Sequence, residues 1–271
     1  MRIVISLFVM ALATATSMAA APTTVDPALA ASIASSQRTA TFVARDSARH
    51  PAEELTFFGV KADANVVELW PGGGYWTEIL APYLAAGGHY TAALPPAKDG
   101  GEDSTTVAQW RVRIAAQAAR FGTIHETTLG SGQFDIAPPG SADLVVTFRN
   151  LHNWMEGGYA SKALAACFRA LKPGGVLGVE DHRGRKDQPQ DPLAKSGYVR
   201  QDYAINLAKQ AGFEFVGSSE MDANPKDTAD WPKGVWTLPP TLTLGEQDRA
   251  KYVAIGEADN FVLKFRKPKR P

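Results

Sequence analysis

The chain of 271 residues has a single cysteine, Cys167, which excludes an intramolecular disulfide and any cysteine-rich zinc site. It has no net charge, with 28 Lys and Arg against 28 Asp and Glu. The broad basic footprint of a nucleic-acid-binding protein is absent, so no nucleic-acid partner is expected. The five histidines form no HExxH or other close metal-binding pair. No apolar run reaches the ~20 residues of a membrane helix, which excludes a stable span. What remains is 45% hydrophobic and 21% charged, ordinary usage for a globular chain with a sizeable core.

The N-terminus has three regions in order. Arg2 gives a positive start, Ile3 to Leu12 a short apolar stretch, and Ser17-Met-Ala19 or Ala19-Ala-Ala21 a small-residue cleavage site. Residues 1–21 are therefore expected to be a signal peptide, and the protein periplasmic or secreted. Residues 22–64 read as a helical extension. Asp26 and Pro27 supply an N-cap and first-turn proline, and Ala28 to about Ala44 holds no breaker. Arg45 to Arg49 is a polar stretch that faces either a site or, as the leading reading, water, ahead of a second helix start at His50-Pro51.

From residue 65 to 271 the pattern is that of one α/β domain. Short apolar runs begin near residues 66, 89, 122, 143, 176, 213 and 261, with helical spacing between most of them. That alternation predicts a doubly wound, mostly parallel seven-stranded sheet covered on both faces. Cys167 falls in one of the helices and is expected to be a buried small hydrophobe. Met221 to Pro240, with Trp231, Trp236 and four prolines, reads as a packed loop over the sheet's edge.

The strongest chemical signal is Val66-Val-Glu-Leu-Trp-Pro-Gly-Gly-Gly-Tyr-Trp-Thr77. A strand runs into a glycine-rich turn that opens a helix, offering backbone amides and a positive dipole end to a ligand. A dinucleotide fingerprint would need its third glycine at Thr77 and an acid near Ala92-Ala-Leu94, and has neither.

Here the chain resembles the class I S-adenosylmethionine-dependent methyltransferases, whose first strand carries an acid before alternating glycines. Glu68, Gly72 and Gly74 fall on that pattern. Gly140 to Trp154 looks like the family's fourth strand and following loop, and Ala170 to Leu177 like its helix stop and fifth strand. The Arg149-Asn150 pair is similar to that of the small-molecule branch containing quinone-biosynthesis methyltransferases. The chain also resembles a group of exported proteins to which that activity is ascribed.

The resemblance implies a Rossmann-like methyltransferase fold and S-adenosylmethionine held by Glu68, Gly72, Gly73, Gly74 and Asn150. The substrate would be a small molecule. Two residues depart from the pattern. Trp70 stands where the first glycine is usual, and the acid of the second strand is missing at Ala92-Ala-Leu94, with Glu102 or Asp103 as substitutes.

For catalysis, His152 or His182 is expected to accept a proton, since imidazole titrates near neutrality, and Asp181 to orient either one. A divalent metal held by Glu180, Asp181, His182 and His152 is the lesser reading, and none is expected. The leading expectation is an exported methyltransferase. A binding protein that keeps the fold without methyl transfer is the alternative.

Overall fold

A computed structural model describes residues 24–97, 104–130 and 132–269. The expected signal peptide, and Glu102 and Asp103, lie outside the described residues. Four short helices come first: α1 (Pro27–Ile33), α2 (Ala40–Val43), α3 (Asp46–Arg49) and α4 (Pro51–Phe58). Then β1 (Asn65–Leu69), α5 (Thr77–Leu84), β2 (His89–Leu94), α6 (Thr105–Ala116), α7 (Ala118–Phe121) and β3 (Ile124–Thr128) form one half of the domain. The other half runs β4 (Ala142–Phe148), α8 (Leu151–Glu156), α9 (Ala160–Ala170), β5 (Leu171–His182), α10 (Gln201–Gln210) and β6 (Glu214–Ser219). It closes with β7 (Pro232–Val235), α11 (Arg249–Ile255) and β8 (Asn260–Arg266).

Seven of these strands form one sheet in the order β3-β2-β1-β4-β5-β8-β6. β1 to β5 are mutually parallel, and β8 runs antiparallel between β5 and β6. The strand order reverses between β1 and β4, so a ligand crevice is expected at their carboxyl ends.

The sheet is buried on both faces because its side chains alternate between two cores. Leu69, Val145, Leu177 and Leu263 pack with Trp154 and Cys167 on the α8–α10 side. Val66, Val146 and Val262 pack with Leu55 of α4, Ile79 of α5 and Trp110 of α6 on the other. Burial pushes the Cys167 thiol up to about 12, which suits an inert core residue.

Three expectations need correcting. The helix foreseen over 28–44 is broken between Ile33 and Ala40. Tertiary bonds take over there: Ser32 Oγ donates to the Ile79 carbonyl at 2.7 Å, and the Thr39 amide donates to Glu78 at 2.7 Å. These bonds to α5 outweigh the weak intrinsic helix propensity of Ser and Thr. The Arg45–Arg49 stretch is no solvated face. Arg49 is buried with its guanidinium 4.4 Å from the Tyr75 ring centre, and Arg45 forms a two-bond ion pair with Glu257 at 2.6 and 2.7 Å. Finally, the loop after β6 covers the carboxyl end of the sheet rather than its edge. Val235 and Leu238 are buried in a third cluster with Tyr198 and Tyr252. Trp236 reaches His152 at 6.0 Å between ring centres.

Candidate functional site

The glycine turn leaves β1 through Trp70, which holds φ +49°. That left-handed conformation costs a non-glycine residue about 1–2 kcal/mol. Several bonds offset the cost. The Trp70 amide donates to the Ala93 carbonyl at 2.8 Å, and its indole Nε1 to the Leu129 carbonyl at 3.0 Å. Asn150 Nδ2 donates to the carbonyls of Leu69 at 3.0 Å and Trp70 at 3.3 Å. Asn150 thus ties the end of β4 to the end of β1 and fixes the backbone beneath the turn. The Trp70 indole reaches across the end of β2 to the residue that follows β3, edge-on to Trp154 at 6.3 Å.

Gly72 is exposed, at φ +58°, with nothing within 4 Å of where a Cβ would stand. Gly73 is also exposed, and Phe42 of α2 lies 3.6 Å from its Cβ position. Gly74 is buried at φ +97°, where a Cβ would meet Trp110 at 3.2 Å. The turn therefore offers an open glycine face at Gly72 and a closed packing contact at Gly74. The open face leaves the backbone at Gly72 accessible to a ligand. The end of β2 does not add to it: Ala92, Ala93 and Leu94 are buried and apolar.

Glu68 lies deeper than the sequence suggested. It is 1% exposed, and its Oε2 accepts from the Tyr90 hydroxyl and, at 3.3 Å, from Thr77 Oγ1. The Trp110 indole in turn donates to Thr77 Oγ1 at 3.1 Å. Burial pushes the Glu68 carboxyl up to about 7, with the Tyr90 and Thr77 bonds only partly opposing it. Glu68 touches the first residue of α5, so it braces the turn from inside the core.

The three residues expected to do acid–base work do come together. Asp181 is fully buried on the α8 side of β5 and accepts from the His152 amide at 2.9 Å and His152 Nδ1 at 2.8 Å. It also accepts from the His182 amide at 2.8 Å. Burial alone would raise the Asp181 carboxyl, but the charge and hydrogen bonds of His152 outweigh it and hold the pKa below its ordinary value. A carboxylate can only accept, so Nδ1 of His152 carries a proton, and Nε2 is the nitrogen with the lone pair whenever the ring is neutral. His182 places Nδ1 2.7 Å from Asn260 Oδ1. Burial drives its pKa down to about 3, against the pull of Asp181.

The two imidazoles lie 5.3 Å apart between ring centres and line a cavity of about 320 Å³. Its other walls include Arg45, Phe148, Arg149, Trp236 and Pro240. Arg149, at φ +62°, closes β4 with its amide on the Glu180 carbonyl at 2.8 Å and its guanidinium on Glu257 at 2.8 Å. Phe148 stacks on Trp76 at 4.0 Å, so the cavity wall adjoins the residues just after the glycine turn. The cavity can hold a small polar molecule, orient it against two cations and take a proton from it.

Sequence reasoning missed Trp236, Glu257 and Asn260 as parts of this site, and gave Arg45 only as the lesser of two readings of its stretch. Arg45 and Glu257 pair across 212 positions, and Asn260 reaches His182 across 78, so no local motif marks them. The polar Arg45 stretch and the tryptophans of the Met221–Pro240 loop were the available signals.

No protein-family model matches the chain, and no curated protein matches it in sequence. Solved structures do match its fold. A SAM-dependent methyltransferase from Aquifex aeolicus shares 15% identity at a TM-score of 0.54, over 83% of this chain and 93% of that one. A putative sarcosine dimethylglycine methyltransferase from Galdieria sulphuraria shares 15% identity at a TM-score of 0.55, over 83% and 85%. The 4+2 cyclase SpnF shares 16% identity at a TM-score of 0.53, over 87% and 85%. These likenesses, with the strand order and the antiparallel β8, show a class I methyltransferase fold.

Proposed function

We propose that this chain, which has the fold of the class I S-adenosylmethionine-dependent methyltransferases, is an exported enzyme that methylates a small polar molecule in the cavity between Arg149, His152 and His182. The observation that carries the reading is the His152–Asp181 pair at a cavity whose Phe148 wall stacks on Trp76, just after the glycine turn. Fold alone is a weak guide to activity, so the weight rests on the site.

Gly72 and Gly73 would hold the amino-acid end of the cofactor, with Gly74, Glu68 and Asn150 supporting the turn from within. When bound, S-adenosylmethionine supplies an electrophilic methyl group on a sulfonium sulfur. The protein's own part is to position the acceptor and remove its proton. Arg45 and Arg149 orient a polar or anionic substrate, Trp236 and Phe148 exclude water, and His152 Nε2 takes the proton from a hydroxyl or amine. Asp181 fixes the tautomer that makes Nε2 the base. Positioning is expected to contribute most of the acceleration, and the base a further factor of about 10²–10⁴.

Calorimetric titration with S-adenosylmethionine and S-adenosylhomocysteine tests the cofactor. Saturable binding supports the reading, and methyl transfer to an envelope extract then tests the activity. Absence of binding to folded protein refutes it.

One observation favours a second reading, a ligand-binding protein without methyl transfer. The Trp70 indole lies across the end of β2, where the strand itself offers only apolar residues. Tight binding of a small polar ligand, with no transfer to any acceptor, would decide for it. Export rests on residues 1–21, and fractionation of cells expressing the full chain tests it.

A further inference from the structure

Across the sheet from Asp181, on the side where Phe58 of α4 approaches Gly178, three acids converge. They are Glu54 of α4, Glu180 of β5 and Asp222 from the turn after β6. One ligand oxygen of each lies within 4.8 Å of the others. Glu54 and Glu180 are fully buried, and Asp222 is 4% exposed.

A buried carboxylate normally accepts hydrogen bonds, since an uncompensated charge in the interior is strongly unfavourable. Here both oxygens of Glu54, both of Glu180 and Oδ2 of Asp222 accept none. Only Asp222 Oδ1 has a donor, His50 Nδ1 at 2.8 Å. Arg149 Nε stands 3.7 Å from Glu180 Oε1, beyond hydrogen-bond reach, while Nη1 donates to Glu257 at 2.8 Å. Glu54 has no cation paired with it among the described residues.

We propose that Glu54, Glu180 and Asp222 form a binding site for a hard divalent cation. The unpartnered oxygens supply an all-oxygen donor set, which suits calcium, magnesium or manganese rather than the softer transition metals. The three oxygens lie within 4.8 Å of one another, close enough for one ion to bridge them.

Three carboxylates packed together in the interior need a positive charge between them to be ionised. A cation would join α4, β5 and the turn after β6, which are far apart in sequence. Its binding does not depend on methyl transfer.

The rival is a pair of carboxyls sharing a proton, with no cation. Elemental analysis and equilibrium dialysis with calcium, magnesium and manganese, on the intact protein and after refolding in about 1 mM of each ion, distinguish them. One of these ions per chain is expected, lost in Glu54→Gln and in Asp222→Asn. Chelation should lower the Tm of the native protein by about 5 °C and leave that of Glu54→Gln unchanged. Each variant removes one ionisable group from a repelling cluster, and using both guards against one failing to fold. No bound cation in the native protein, or equal binding by native protein and both variants, would overturn the proposal.

Discussion

Replacing Glu68 by Gln should abolish a pH dependence of stability that the native protein carries. The carboxyl sits in the core between β1, β2 and α5, bonded to Tyr90 and Thr77, with its pKa raised from 4.5 to about 7. Because the folded pKa is the higher one, the folded state holds the proton more tightly than the unfolded chain. The contribution is fully present below pH 4.5 and is lost as pH rises to about 7, above which it stays lost. A displacement of this size corresponds to about 3 kcal/mol at about 1.4 kcal/mol per unit. Glutamine cannot titrate and has nearly the same shape. Urea unfolding followed by tryptophan fluorescence at several pH values from about 4.5 to 8 gives both stability curves. The native-minus-variant difference should fall by about 3 kcal/mol across that window. Parallel curves would refute the placement of Glu68 in a dry core and return it to the solvent-facing rim of the turn.

Four further outcomes follow from the site. Gly72→Arg should cost only about 1–2 kcal/mol, the left-handed backbone penalty, because no atom obstructs its side chain, and calorimetry should show loss of S-adenosylmethionine binding. Gly74→Arg should destabilise more, since its Cβ alone would press on Trp110, and comparative thermal melts check the order. His152→Ala and Asp181→Asn should each lower methyl transfer by about 10²–10⁴ while cofactor binding persists, so a rate assay paired with calorimetry separates base from scaffold. Trp70→Gly should relieve the left-handed strain and open the end of β2. If the ring is what narrows the site, S-adenosylmethionine affinity rises; an unchanged affinity would show that the ring does not obstruct it.

Much of the frame was legible because it is local. Apolar runs of strand length and the stops at Gly72–Gly74 and Lys172-Pro-Gly-Gly175 placed the strands within a few residues. The Lys172–Gly175 stop is softer than expected, since β5 already begins at Leu171 and the glycines lie in a register shift against β4. The short helices α8 and α11 went unread because each has seven residues or fewer, too few for a period to show. The break in the first helix was hidden for another reason. No residue there forbids a helix, and only the pull of Ile79 and Glu78 ends it.

The sequence by itself determined the fold class, the glycine turn and the trio His152, Asp181 and His182, since strand ends and their neighbours are written in consecutive residues. Tertiary structure alone decided what those residues face. It put Glu68 inside the core, used Asn150 to clamp the backbone under Trp70, and closed Gly74 against Trp110. It also assembled Arg45, Arg149 and Glu257 at one cavity and Glu54, Glu180 and Asp222 at one buried cluster. Charge and burial act through space, and residues that share an environment through the fold need not be neighbours in the chain.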